Sequence, residues 1–189
     1  MGKFGAALVF AVLFPYIVTL AWTGTVEGTG VRTEAGGDRR ILLDEGNVKA
    51  YMSMEEFLPG ALAAQIPADF GEEALKAQAI IARTYICGRM GEEKEISQSE
   101  LDMDYLDGKE LAALWGEQAA ENYRRLREAA EETRGQVITY EGELIEPLFH
   151  RASAGRTREG GDGYPYLTAA DCPGDLEADG SLQAVTMTK

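Results

Sequence analysis

AAQIPADFGEEALKAQAIIARTY, Ala63 to Tyr85, holds a helix end, a turn and a helix start in one run. Pro67 disfavours helical geometry at Ile66, so a first helix must stop there. Asp69-Phe70-Gly71-Glu72 has the pattern of a new helix start, with Asp69 as the capping residue. The second helix is predicted to run to about Met90. Ala74, Ala77, Ile81 and Tyr85 form one apolar stripe along it, and Leu75, Ala79, Ala82 and Ile86 form another. Two stripes predict a helix buried on two sides. Its polar members, Lys76, Gln78, Arg83 and Thr84, must then face a cleft or find partners, because a buried unpaired polar group is costly.

Upstream, Ser53-Met54-Glu55-Glu56 has capping-box spacing, so the first helix should begin at Met54 and reach about Ala64. Pro59 lies inside it and is expected to bend it, since an interior proline costs about 3 kcal/mol. Gly60 beside it allows another backbone to approach closely. Ile41-Leu42-Leu43 opens the globular part, the following Asp44-Glu45-Gly46-Asn47 is turn-like, and Val48 to Met52 reads as a short strand.

Downstream, Gly91 to Gly108 is acidic and irregular and reads as a loop. A long helix is expected from Glu117 to about Arg134, with Ala119, Tyr123, Leu126, Ala130 and Thr133 as its core face and Gly135 just past its end. QVITY then reads as a strand, Glu141-Gly142 as a two-residue hairpin turn, and ELIEPLFH as the return strand. The expected class is α+β: a helical first half packed on a small, mainly antiparallel sheet.

The N-terminal run Phe4 to Trp22 is uncharged and about 19 residues long, enough to nearly span a bilayer core. Lys3 flanks it on the amino-terminal side, which places the rest of the chain outside the cell. A bulky ring at Trp22 spoils the small-residue pattern of a cleavage site, so an uncleaved signal anchor is favoured over a cleaved signal peptide. Thus residues 1–23 are expected to be a transmembrane helix, 24–40 a flexible tether rich in Gly and Thr, and 41–189 the folded domain. The domain would sit on the extracytoplasmic side of a single-pass membrane protein. Export permits a disulfide between Cys87 and Cys172, but two free thiols remain the default reading, since spacing cannot show that the two approach closely enough to bond.

Charge narrows the function. With 32 acidic and 18 basic residues the formal net charge is −14. Nucleic-acid binding needs the opposite balance. No two of Cys87, His150 and Cys172 have zinc-ligand spacing, so neither a metal nor another cofactor is expected. The Gly-rich run from Ala154 to Gly163 is not followed by a helix and is no phosphate cradle. Ser153 lies three residues from His150, but nothing in the spacing assembles a hydrolytic triad.

Three blocks carry a resemblance: MSMEEFLPGALAAQIPADFGEEALKAQAIIARTY, EETRGQVITYEGELIEPLFHRASAGRT and YPYLTAADCPGD. In this order they resemble the stage II sporulation protein D family, also called the amidase-enhancer domain, over about Ile41 to Asp175. The resemblance implies peptidoglycan glycan strands as substrate, other cell-wall hydrolases as companions and a membrane tether. It implies a lytic transglycosylase that cleaves between N-acetylmuramic acid and N-acetylglucosamine, with one carboxyl group serving as acid and then base. That carboxyl belongs to a Glu in an Ala-Glu-Met-Pro-like turn, and Gln65 stands at the matching position in Ala-Gln-Ile-Pro. An amide cannot deliver and retake a proton, so the alternative is a non-catalytic wall-binding regulator or amidase enhancer. Asp69, Glu72 and Glu73 are the neighbouring acids that could substitute, though Asp69 and Glu72 look committed to capping. The resemblance further places His150, Ser153, Gly155 and Arg156 along the glycan groove, with Ala154 where the family has Gly. It places Arg83 and Tyr85 there too, Tyr85 as a stacking platform and Arg83 either at the groove or as an ion-pair partner in the core. Relatives continue into further strands, so the domain is expected to be a C-terminally short version.

Overall fold

The computed structural model describes residues 29–33, 38–45, 48–150 and 152–176. The expected signal anchor and the run SLQAVTMTK lie outside these residues. Among the described residues no helix is long and apolar enough to cross a membrane.

The chain is α+β. Strands β1 (Thr29–Thr33), β2 (Arg40–Glu45) and β3 (Val48–Ser53) lead into helices α1 (Met54–Gln65) and α2 (Glu72–Met90). Strand β4 (Glu95–Ser97) and the single turn α3 (Gln98–Leu101) follow, then α4 (Gly108–Trp115), α5 (Ala119–Glu132), β5 (Gln136–Tyr140) and β6 (Glu143–Leu144). In place of one antiparallel sheet there are two of three strands. One has the order β1-β5-β6 and is antiparallel throughout. The other has the order β3-β2-β4, with β2 antiparallel to β3 and parallel to β4. Strand thus opens the described chain as well as following its helices. β1 falls within the stretch read as tether, and its register runs from Thr29 opposite Tyr140 to Thr33 opposite Gln136.

The helix starts follow local chemistry. The Ser53 hydroxyl accepts a hydrogen bond from the Glu56 amide and the Glu56 carboxylate accepts one from the Ser53 amide, the reciprocal box expected there. Helix α1 runs past Pro59 without interruption, since a proline in its second turn forgoes only one ladder bond, and ends at Ile66 as Pro67 requires. Gly60 fulfils its role: a Cβ there would lie 2.3 Å from the Tyr105 ring and 2.8 Å from the Leu106 carbonyl oxygen. Tyr105 meanwhile stacks on Phe57 with centroids 4.8 Å apart. Helix α2 begins two residues later than a cap at Asp69 would place it. Its N-cap is Gly71, without a side-chain bond, and Asp69 is exposed.

Between Gly91 and Gly108 the chain is more ordered than an acidic loop, with β4 paired to β2 and a second reciprocal capping box at Ser97 and Glu100. Helix α4, capped by Asp107, is only eight residues long, too short a run for a helical repeat to establish itself in the sequence. The hairpin turn is as expected: Glu141 and Gly142 both have positive φ, 52° and 90°. The return strand is only Glu143–Leu144, because Pro147 lacks the N–H a ladder needs.

The core lies among α1, α2, α5 and the faces of β2 and β5, with Ile41, Phe57, Leu58, Leu62, Leu126 and Val137 fully buried. Only one of the two stripes on α2 joins it. Leu75, Ala79, Ala82 and Ile86 are buried, whereas Ala74 and Ala77 are exposed and Ile81 and Tyr85 half-exposed. On α5, Tyr123 likewise turns outward while Leu126, Ala130 and Thr133 face the core.

Candidate functional site

The outward stripe of α2 is one wall of a groove of about 340 Å³. Ile81, Ala82 and Tyr85 supply that wall, Gln65 the end at the α1 terminus, and Asp102, Met103 and Asp104 the rim after α3. Pro147, Leu148 and Phe149 close the far side. Leu148 is 51% and Phe149 48% exposed, so two large apolar side chains stand open at the mouth. A cavity of this size, apolar with a few polar groups at its edges, has the form of a small-ligand site.

Each wall is fixed. The turn that follows Gln65 is clamped by Arg125, whose guanidinium donates to the carbonyls of Ala68 and Phe70 at 2.7 and 2.8 Å. The Asp102 rim is tied to α2 by the Tyr85 hydroxyl, which donates to the Leu101 carbonyl at 2.9 Å. Asp102 itself turns the chain, with φ 50°. The far wall is braced from outside the groove: the Tyr166 hydroxyl donates to the Glu146 carbonyl at 3.0 Å, and the Tyr164 hydroxyl reaches the Glu146 carboxylate at 3.2 Å.

Gln65 and Tyr85 thus line one groove. Gln65 Oε1 accepts a hydrogen bond from Gln78 Nε2 at 2.8 Å. Tyr85 lines the same groove with its ring, its hydroxyl being engaged with the backbone.

The other residues assigned to the groove are elsewhere. Arg83 is 0% exposed and is a structural residue, not a ligand contact. Its guanidinium meets the Glu55 carboxylate through two bonds of 2.9 Å and donates to the carbonyls of Ala130 and Gln136 at 2.9 and 3.2 Å. A donor set engaged in this way has nothing left for a sugar. His150 is exposed, and the described lining ends one residue before it, at Phe149. Ser153 donates through both its amide and its hydroxyl to Asp175, at 2.6 and 2.7 Å. These bonds, with a smaller contribution from the charge of His150, hold the Asp175 carboxyl below its ordinary range. Gly155, at φ 90°, gives its carbonyl to the Cys172 amide, and Arg156 is paired with Asp171. Residues 153–175 thus fold back on themselves as an irregular hairpin rather than lining the groove. Cys172 belongs to this hairpin and is not bonded to Cys87, which is buried in α2 against Met54.

None of the acids named as substitutes for a missing carboxylate lines the groove, and Asp69 is exposed. Glu72 and Glu73 engage Lys76 at 2.5 and 3.3 Å, and Lys76 also pairs with Glu132 at 2.6 Å. These contacts, Glu132 foremost, raise the Lys76 pKa. The carboxylates that do share the groove with Gln65 are Asp102 and Asp104. Nothing in the sequence singles them out from the chain's 32 acidic residues, because contacts to distant residues, Tyr105 against Gly60 and Leu101 with the Tyr85 hydroxyl, bring their loop across.

Residues 44–140 match the family described as Stage II sporulation protein. The chain is 30% identical over 148 residues to the Stage II sporulation protein D of Bacillus amyloliquefaciens, covering 71% of this chain and 43% of that protein. It is 31% identical over 138 residues to the Stage II sporulation protein D of Bacillus subtilis (strain 168), covering 66% and 40%. The chain spans about two fifths of the length of these curated relatives. The family match holds three sides of the groove, from Gln65 through Tyr85 to Asp104, on the scaffold described above. With half of its length inside that match, this chain belongs to the stage II sporulation protein D family, a family of sporulation proteins.

Proposed function

We propose that the groove between Gln65 and Phe149 holds a glycan strand of peptidoglycan, and that the domain grips the strand without cutting it. The observation that carries this reading is the company Gln65 keeps. An amide at the turn after α1 shares one groove with the faces of Tyr85 and Phe149 and with two rim carboxylates. Aromatic faces suit the apolar faces of sugar rings, and amide and carboxylate groups suit their hydroxyl and acetamido groups.

In this reading the groove is that of a lytic transglycosylase without its acid. Cleavage between N-acetylmuramic acid and N-acetylglucosamine needs a proton delivered to the leaving oxygen and another taken from the muramyl 6-hydroxyl. Gln65 can donate a hydrogen bond to that oxygen but can do neither transfer, and loss of general acid–base catalysis costs about 10²–10⁴-fold. The domain then acts as a wall-binding regulator that presents strands to partner hydrolases, outside the cell and tethered by the apolar run at Phe4 to Trp22.

The test is digestion of purified glycan strands by the full chain, with products read by mass. The unmodified chain is expected to bind strands and release no 1,6-anhydro ends, and Gln65→Glu to release them. Release by the unmodified chain at the rate of the Gln65→Glu variant overturns the non-catalytic reading.

A further inference from the structure

Gln78 is a buried polar residue on α2, 6% exposed, and it is absent from the groove lining. Its hydrogen bond to Gln65 joins one helix turn to the next element, thirteen positions away, and meets Gln65 at the α1 terminus. No other described side chain bonds Gln65. The amide of Gln65 has two faces, an acceptor oxygen and a donor nitrogen, and a half turn about its last torsion would exchange them. With Oε1 accepting from Gln78, Nε2 and its two N–H donors remain for the groove.

We propose that Gln78 is the positioning residue of this site: it fixes the flip of the Gln65 amide so that the groove offers a donor, and so selects a ligand oxygen that only accepts. This rests on the glycan reading for the ligand's identity, and the oxygens that fit are the glycosidic oxygen and the acetamido carbonyl. Gln78 touches no ligand and works only through Gln65. Holding the amide in one orientation spares the ligand the cost of ordering it. In a Gln65→Glu variant the same Gln78 N–H would donate to one carboxylate oxygen and leave the other to the groove.

Two readouts test it. In the full chain labelled with ¹⁵N, the side-chain amide protons of Gln78 should exchange more slowly with solvent than those of Gln65, and that protection should vanish in Gln65→Ala. Protection on Gln65 in place of Gln78 overturns the proposal. The second readout is binding of a tetrasaccharide of alternating N-acetylglucosamine and N-acetylmuramic acid. Gln78→Met should weaken it roughly fivefold to tenfold, about what one lost hydrogen bond is worth, and should have no further effect in a Gln65→Ala background. An equal loss in both backgrounds overturns the proposal, because Gln78 would then act on the fold at large. If the unmodified chain does not bind the tetrasaccharide, the glycan reading fails, and the exchange pattern alone decides which amide donates.

Discussion

The Arg83 guanidinium and the Glu55 carboxylate meet through two parallel hydrogen bonds of 2.9 Å, Nε to Oε1 and Nη2 to Oε2, in the interior between α1, α2 and α5. The pair orients α1 against α2, and the α1 terminus carries Gln65. Removing one member of a buried pair strands the other charge, at a cost of about 3–5 kcal/mol. Arg83→Met is therefore expected to destabilise the domain by that amount in urea unfolding. Arg83→Met with unchanged stability would contradict the structural role assigned here.

Gly60 is where the loop carrying Asp102 and Asp104 crosses α1. Gly60→Ala would drive a methyl group into the Tyr105 ring and the Leu106 carbonyl. Overpacking of this kind typically costs about 1–3 kcal/mol, and the expected outcome is a lower thermal midpoint together with weaker glycan binding, because the rim moves. Gly88→Ala, on the exposed side of α2 with open space around its Cβ, should instead leave the midpoint unchanged or raise it.

Acid should loosen the molecule at its serine–carboxylate contacts. Hydrogen bonds from Ser53, Ser97 and Ser153 lower the pKa values of Glu56, Glu100 and Asp175 respectively. A folded-state pKa below the unfolded one adds stability that is present above the ordinary carboxylate range, near pH 4, and is lost as pH falls through the lowered folded value. Thermal midpoints measured from pH 6 to pH 2 should drop on the acid side, and Ser153→Ala, which leaves only the backbone bond to Asp175, should drop less. An identical acid limb in that variant would contradict the assignment.

Phe149 and His150 are neighbours that should behave differently. Phe149→Ala removes an open aromatic face from the groove and is expected to weaken glycan-strand binding roughly threefold to tenfold, in line with the worth of one aromatic contact. His150→Ala should change it little, because the described lining does not reach that side chain. The reverse ranking in a pull-down with purified strands would return the imidazole to the site.

Local signals made much of this molecule legible. The capping box at Ser53, the stop at Pro67, the close approach at Gly60 and the Glu141-Gly142 turn are all chemistry confined to a few neighbouring residues. The rest is set by partners that come from far along the chain. Ala74, Ala77, Ile81 and Tyr85 look like a second buried face, and only the position of the Pro147–Phe149 segment makes the end of that stripe a groove wall. Arg83 and Tyr85 sit two residues apart in one motif, yet a helix turns them to opposite fates, one into the core and one to the groove. The Asp102 and Asp104 rim carries no motif, and β1 is too short and polar to announce itself before β5 provides its partner.

The central claim is that a peptidoglycan glycan strand lies in the groove that Gln65 closes. Hydrogen exchange of the full chain, read by mass with and without the N-acetylglucosamine–N-acetylmuramic acid tetrasaccharide, tests it most directly. Slowed exchange confined to peptides that carry Gln65, Tyr85, the Asp102–Asp104 rim and Phe149 is the predicted result. Protection confined to the 153–175 hairpin, or no change at all under saturating sugar, would contradict it.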